Sequence, residues 1–546
     1  PTPSVLARPQ ASAPVACSRL PSNQETQQHQ PVRPSTIANQ SLTCARLSAG
    51  DQAGRETGAG PSASGFKEKS AKVVVDSSRP TSQPSRPHQT LATLGHRGAG
   101  KSTLAGRLLL ELGCAASPAL SDQDASASSS EPESAVASDA QPTEAAAADG
   151  EAHGPCAPPA EVNYAWVTNR LPEERSKGCT VDMSVHRLAM STAQFTLVDV
   201  PGHPSYRKNA TAAISQGQVG LLVVDAREGA SEAGLCSSGQ TREHALLAYC
   251  FAFKHMVCLI NKMDATTPAY YRPRYQQLVQ VLGHYLRCLG FHASKVTFVP
   301  VSGLKGDNLM QLSPNMDWYK GPSVVEALEA VASEAGEAAL TEAARSLRIT
   351  VFRSASVPNI GTVALGRVAS GAVKVGQMVR VAPSGLEAEV QAVRAHKLAL
   401  SVAHAGAHVG LQLRDVDPGS VRRGCVISDA SVDAAREAAA FMAQVIVVNH
   451  PTCMSVGNAP VVECHTAHVA CRVTNILSRI DRKSGQELEL EPASLKNGDA
   501  GFVRFEPLRP LCIEPFHHTP SLARFVLRDK NHLIAVGLVK SVDRKQ

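Results

Sequence analysis

Aromatic residues make up only 4% of the 546-residue chain, and two of them are tryptophan. A chain so poor in rings, with Ala, Ser, Pro and Gly abundant, is not folded throughout. Long apolar runs are missing as well. The run from Val219 to Val224 stops far short of the roughly 18 residues that span a bilayer, so no membrane partner is expected. The 14 cysteines are scattered, with no CxxC pair, which excludes a disulfide framework and a zinc ribbon. A reducing, cytoplasmic setting is the expectation. A net charge of +6 is too mild to demand nucleic acid, although it leaves room for a local basic face.

What is present is length enough for about three to four domains. Residues 1–88 are rich in Pro, Ser, Gln and Ala, hold ten Lys/Arg against five Asp/Glu, and show no periodicity; they read as a disordered tail. The acid-free stretch before Glu25 leaves a targeting segment open as an alternative. A second low-complexity stretch, 114–160, carries eight acids between Asp122 and Glu151, and no Lys or Arg occurs from Leu108 to Asn169. It reads as a disordered acidic insertion. Residues 89–335 otherwise alternate strand-like runs (FTLVDV, GLLVVDA, MVCLINK, VTFVPVSG) with helical segments at 241–253 and 274–289, the rhythm of an α/β parallel sheet. Short strands punctuated by glycine then fill 345–433 and 438–546, as in two all-β barrels or sandwiches.

The chemistry is carried by four short motifs. Gly95-His96-Arg97-Gly98-Ala99-Gly100-Lys101-Ser102 fits GxxxxGK[ST], between a strand-like run and an apolar helix that opens after Thr103. Such a loop curls its amides around phosphate oxygens, Lys101 bridges the terminal phosphates, and the Ser102 hydroxyl ligates Mg²⁺. Asp199-Val200-Pro201-Gly202 ends the strand FTLVDV, where Asp199 can hold a Mg²⁺-bound water and the Gly202 amide can sense a γ-phosphate. Asn261-Lys262-Met263-Asp264 ends a later strand. Asp264 can accept two hydrogen bonds from guanine, Lys262 can cover the ring, and adenine would leave that carboxylate unmatched, so GTP is selected over ATP. Ser302-Gly303-Leu304, at a fourth strand end, offers amides to the guanine oxygen. Singly each piece reads equally well as a plain loop; in this order at strand carboxyl ends they form one ligand site.

With these motifs the chain resembles the translational GTPases, most closely the eukaryotic elongation factor 1-alpha type. The resemblance runs through YAWV at Tyr164 to Val167, Glu174 to Asp182, PGH at Pro201 to His203, GQTREHALLAY up to Tyr249, and AQVIVVNHP at Ala443 to Pro451. It covers about 89–113 and 161–546. It implies a P-loop GTPase domain followed by two β-barrels, GTP/GDP and Mg²⁺ as ligands, and delivery of aminoacyl-tRNA, or a protein tRNA mimic, to the ribosome by a monomer that an exchange factor reloads. By matching positions, Thr180 is a further Mg²⁺ ligand and His203 orients the attacking water; a loop histidine on a solvated turn is the plain alternative.

The chain also departs from that pattern. The phosphate loop of the family reads GHVDxGKS, whereas Arg97-Gly98 stands here in place of Val-Asp. After PGH come Pro204-Ser205-Tyr206 instead of Arg-Asp-Phe, then Asn209-Ala210-Thr211-Ala212-Ala213 instead of NMITG. Two alternatives stay open: a ribosome-rescue or termination GTPase of the Hbs or class II release factor kind, which the 88-residue tail favours, and a non-hydrolysing guanine-nucleotide scaffold, which the altered segment after PGH supports. Cys464, His465, His468 and Cys471 suggest zinc by composition, but strand alternation would send them to opposite faces, so a structural strand is expected.

Overall fold

The computed structural model describes residues 88–114, 163–190, 193–334 and 344–545, apart from single positions at 359, 397, 483 and 531. The expected tail up to residue 87 and nearly all of the acidic insertion lie outside the described residues.

The first module is a six-stranded sheet in the order β2-β3-β1-β4-β5-β6. Its strands are β1 (His88–Leu94), β2 (Ser184–Ala189), β3 (Gln194–Asp199), β4 (Val219–Asp225), β5 (His255–Asn261) and β6 (Val296–Pro300). β4 and β5 are buried along their whole length, as strands covered by helices on both faces must be. Those helices are α1 (Lys101–Glu111), α2 (Pro172–Lys177), α3 (Arg207–Ile214), α4 (Ala230–Leu235), α5 (Gln240–Cys250), α6 (Arg272–Leu289) and α7 (Val324–Ser333). All pairings are parallel except β2 with β3. The runs expected to form a parallel sheet do so, and β2 adds an antiparallel edge whose cause is chain length: the four residues between β2 and β3 permit a reversal but no crossover helix.

Two closed antiparallel barrels follow. The first runs β10-β15-β7-β8-β14-β11 and closes through β10 with β11. It uses β7 (Arg348–Val357), β8 (Gly361–Ser370), β9 (Ala372–Lys374), β10 (Met378–Ala382), β11 (Leu386–Ala395), β12 (Leu398–Leu400), β13 (Val402–His404), β14 (His408–Leu413) and β15 (Val426–Asp429), with β12 added beside β11 and β9 paired with β13. The second runs β18-β23-β24-β16-β22-β19 and closes through β18 with β19. Its strands are β16 (Ala438–Val447), β17 (Met454–Ser455), β18 (Val461–Cys464), β19 (Ala467–Ile480), β20 (Glu487–Leu490), β21 (Ser494–Leu495), β22 (Ala500–Pro507), β23 (Arg524–Asp529) and β24 (His532–Arg544). Closure leaves no long unpaired edge in either ring. Each encloses its own aliphatic core; Phe441, Phe505 and Phe525 cluster in the second.

The stretch from Cys464 to Cys471 is a hairpin, not the single strand expected, because His465 adopts a left-handed turn conformation (φ 42°) and Cys464 pairs with Ala467. The Cys464 thiol donates to Leu522 O, His465 Nε2 lies 3.1 Å from Cys512 O, and His468 sits beside Glu463. Each side chain has its own local partner.

Buried ions join the modules. Arg348, with no solvent exposure, donates to Glu514 (2.6 Å) and Asp433 (2.8 Å), which belong to the second barrel and the segment leading to it. Arg528 on β23 reaches Glu463 on β18 at 2.8 Å, Glu243 on α5 at 2.7 Å and Thr211 on α3 at 3.1 Å. Truncating one member of such a set strands the others in low dielectric. Arg528→Ala is therefore expected to cost roughly 3–5 kcal/mol, read as a lower urea midpoint of the full chain, whereas Arg528→Lys retains part of it.

Candidate nucleotide site

The four motifs sit on loops at the carboxyl ends of β1, β3, β5 and β6, on one rim of the sheet. The phosphate loop turns directly into α1, whose N-cap is Gly100 in the left-handed region (φ 91°). Lys101 points back under the loop, donating to Gly95 O (3.0 Å) and His96 O (2.9 Å). It is buried, and desolvation lowers its pKa to about 8 against the opposing pull of Asp199. Gly202 lies close by: a Cβ there would meet the Lys101 amine at 2.1 Å and His96 O at 3.2 Å, so any side chain would displace the amine.

Three oxygens converge beside Lys101. Ser102 Oγ donates to Asp199 Oδ2 at 2.7 Å and lies 2.9 Å from Thr180 Oγ1. The Asp199 carboxylate is held from behind by Thr93, whose hydroxyl donates to Oδ1 (2.8 Å) and accepts from Val200 N (3.0 Å). Thr180 is anchored to Asn169 Oδ1 at 3.2 Å. The sequence reading did not single out Thr93 or Asn169; a polar residue at a fully buried strand position was the only signal for Thr93. It also missed the support that α5 gives the loop. Gly95 N donates to His244 Nδ1 and His96 N to Thr241 Oγ1, both at 3.2 Å. Burial holds His244 well below its ordinary pKa, which keeps Nδ1 available as an acceptor.

Asn261 ties three loops together. Its Nδ2 donates to Ala99 O (2.8 Å), and its Oδ1 accepts from Gly303 N and Lys262 N (2.8 Å each). Lys262 Nζ reaches Gly98 O at 2.6 Å and Asp225 Oδ2 at 2.8 Å. The Asp225 carboxylate sits below its usual range: burial opposes this, and hydrogen bonds from Arg227 and Lys262 outweigh it. Asp264 lies half-buried in the short turn after Lys262.

A cavity of about 190 Å³ gathers Arg97, Gly98, Gly100 to Thr103, Asn169, Thr180, Gly202, His203 and Lys262. Asp264, Ser302, Gly303 and Leu304 do not line it, and Leu304 is exposed, its carbonyl accepting from Arg107. His203 lines the cavity but is also engaged locally: its Nδ1 accepts from Ser205 N at 3.2 Å and its ring lies 5.8 Å from that of Tyr206.

Residues 86–334 match the elongation factor Tu GTP-binding domain, 361–428 match elongation factor Tu domain 2, and 440–540 match the C-terminal domain of the eukaryotic 1-alpha type. The chain belongs to the elongation factor Tu family of translational GTPases. Solved structures agree on the fold. The Ski7 GTPase-like domain of S. cerevisiae bound to GTP is similar at 18% identity, over 83% of this chain and 97% of that one, with a TM-score of 0.65. A bacterial selenocysteine-specific elongation factor matches at 20% identity, 83% and 58% coverage and TM-score 0.56. Elongation factor SelB from Methanococcus maripaludis, with a GTP analogue, matches at 16%, 85% and 81% coverage and 0.56. The GTPase thus binds guanine nucleotide on a GTP-binding domain followed by two barrels, and no helix among the described residues is long and apolar enough to cross a membrane.

Behind β1 to β3 the GTPase domain meets the first barrel through histidines. Thr196 Oγ1 lies 3.0 Å from both His88 Nε2 and His396 Nε2, while His186 and His408 line the adjoining space. Desolvation lowers His88 and His186 to about 4, helped respectively by His396 and Arg170, and His396 and His408 are lowered too. Arg367 and Arg187 add positive charge, and Asp199 opposes it at His186. The unfolded chain takes up these protons first, so stability is complete above about pH 6.5 and is lost as pH falls from there toward 4. Each of His88 and His186 contributes on the order of 3 kcal/mol. Urea midpoints measured between pH 7 and 4.5 should fall, and His186→Gln should flatten that fall.

Proposed function

We propose that this GTPase is an elongator of the 1-alpha type, which carries aminoacyl-tRNA to the ribosomal A site with GTP bound and releases it after hydrolysis. The observation that supports this reading is a second cavity, about 650 Å³, between the GTPase domain and the first barrel. Its barrel side includes an apolar patch of Val357, Ile360, Val363 and Leu365 beside polar residues such as His408 and Gln412, and Arg170 and Arg394 also line it. Neither arginine has an ion-pair partner among the described residues, so both can meet phosphate. An apolar patch with cationic groups in the same cavity suits a nucleoside joined to an amino acid side chain, and the volume falls within that of ordinary ligand sites. Asp182 and Glu174 line the same space. Glu174 accepts from Val181 N and Asp182 N, next to Thr180, so what Thr180 binds would reach this cavity through two residues.

In this reading the phosphate-loop amides and Lys101 hold the β- and γ-phosphates, and Asp264 receives the guanine edge while Ser302, Gly303 and Leu304 border it. The Ser102, Thr180 and Asp199 oxygens are hard donors already within hydrogen-bond reach of one another, a set that fits Mg²⁺. Ser102 and Thr180 would ligate the ion and Asp199 would hold its water; bound there, the ion neutralises charge on the β- and γ-oxygens. His203 would orient the attacking water once its bond to Ser205 N is given up. The ribosome and an exchange factor are the implied partners, and a cytoplasmic monomer is the implied form. A rescue or termination factor carrying a protein mimic of tRNA is the second reading, favoured by the long Pro-, Ser- and Gln-rich stretch ahead of the GTPase domain.

Spontaneous ester hydrolysis of aminoacyl-tRNA distinguishes them. Slower hydrolysis with a GTP analogue bound, and none of that protection with GDP, is the expected result; no protection in either state, with nucleotide shown bound, would remove the elongator. Asp264→Asn should weaken GTP binding by roughly 10- to 100-fold, since the bonds lost are to a charged acceptor.

A further inference from the structure

Three cationic side chains line the cavity beside the phosphate loop, and they are not equivalent. Lys101 is committed to the carbonyls of Gly95 and His96. Lys262 is committed to Asp225 and Gly98 O. Arg97 has neither an ion pair nor a hydrogen bond among the described residues, and its side chain is exposed at the cavity mouth. The same wall carries Thr180, Gly202 and His203.

Relative to the family pattern, the pair at 97–98 swings from one negative charge to one positive. Gly98 has φ 75° with open space where a Cβ would stand, so no carboxylate rises there to neutralise the neighbouring guanidinium. The positive field is already felt next door: burial lowers His96, and the charges of Lys101 and Arg97 lower it further. His203, meanwhile, accepts from Ser205 N within its own turn. The residue expected to organise the water is locally engaged, and an unpaired guanidinium faces the same space.

We propose that Arg97 is a catalytic residue of this GTPase, an arginine supplied from inside the phosphate loop that stabilises the charge of γ-phosphoryl transfer. The proposal rests on the reading of this loop as the GTP site. In the step, water oxygen bonds to the γ-phosphorus while the bond from that phosphorus to the β–γ bridging oxygen breaks. The electron pair stays on GDP, and both hydrogens of the water leave with inorganic phosphate as H2PO4⁻. Nothing is oxidised, and Arg97 keeps its proton throughout, its planar fork matching the bridging and γ-oxygens. An arginine delivered in cis lets hydrolysis proceed with less dependence on an external partner, which suits a chain whose segment after PGH is altered.

The test is single-turnover GTP hydrolysis by the full chain, with GTP, GDP and GDP–aluminium fluoride affinities measured in parallel. Arg97→Ala is expected to hydrolyse about 10- to 1000-fold more slowly while its GTP and GDP affinities stay within about threefold. It should lose affinity for GDP–aluminium fluoride in proportion to the rate, a change that a merely structural role would not produce. Arg97→Lys should recover only part of both, because an ammonium lacks the fork. Unchanged or faster hydrolysis by Arg97→Ala would overturn the proposal, as would a loss of rate matched by loss of GTP binding. If the unaltered chain binds GTP but does not hydrolyse it, the role of Arg97 falls and the nucleotide site stands. If it binds no guanine nucleotide, both fall.

Discussion

The carboxamide of Asn261 is the joint on which the nucleotide site depends. One side chain, 2% exposed, gives a hydrogen to the phosphate loop at Ala99 and takes hydrogens from Lys262 and Gly303. The loops that would hold phosphate and base are otherwise remote in sequence, and the carboxamide offers a donor on one side and an acceptor with two lone pairs on the other. An aspartate there would face Ala99 O with no hydrogen to give, and buried acceptors left opposed are costly. Asp199 plays a comparable part on the phosphate side, where its carboxylate takes hydrogens from Thr93 and Ser102. Two polar side chains thereby convert four loops into one surface.

The same economy of buried polar groups governs the assembly of the modules. Arg348 ties the first barrel to the second, and Arg528 ties the second barrel to α3 and α5. α3 follows the PGH segment, and Arg423 of the first barrel reaches Asn209 in it at 2.8 Å, while Asn209 itself donates to Val181 O next to Thr180. The segment beside Thr180 is thus linked to one barrel residue through Asn209. A shift in either segment would have to break these discrete, partly buried bonds.

Much of this was legible in the sequence, for identifiable reasons. The motifs at Gly95 to Ser102, Asp199 to Gly202 and Asn261 to Asp264 are contiguous, and each follows a continuous apolar run, so local pattern was enough to set them on strand ends. The barrels were legible as glycine-punctuated short strands. Less visible were the supports. Thr93, Asn169, Thr241 and His244 act across gaps of between 11 and 149 residues, and no local spacing announces a partner that distant. The hairpin at His465-Thr466 was hidden because alternation on both sides of a tight turn reads as one strand.

Local chemistry therefore determined the fold class and the identity of the groups that can meet a guanine nucleotide, since the motifs depend on backbone conformation and residue type at fixed short spacings. Only the tertiary structure decided which of those groups are free to act. Lys101 and Lys262 meet carbonyls and a carboxylate, His203 is engaged by its own turn, and Arg97 has no partner among the described residues. The cavity between the GTPase domain and the first barrel likewise exists only once contacts such as Thr196 with His396 and Arg423 with Asn209 bring the two together. Whether a charge is available is a question of which other polar atoms the fold brings within 3 Å or so of it, and those atoms come from every part of the chain.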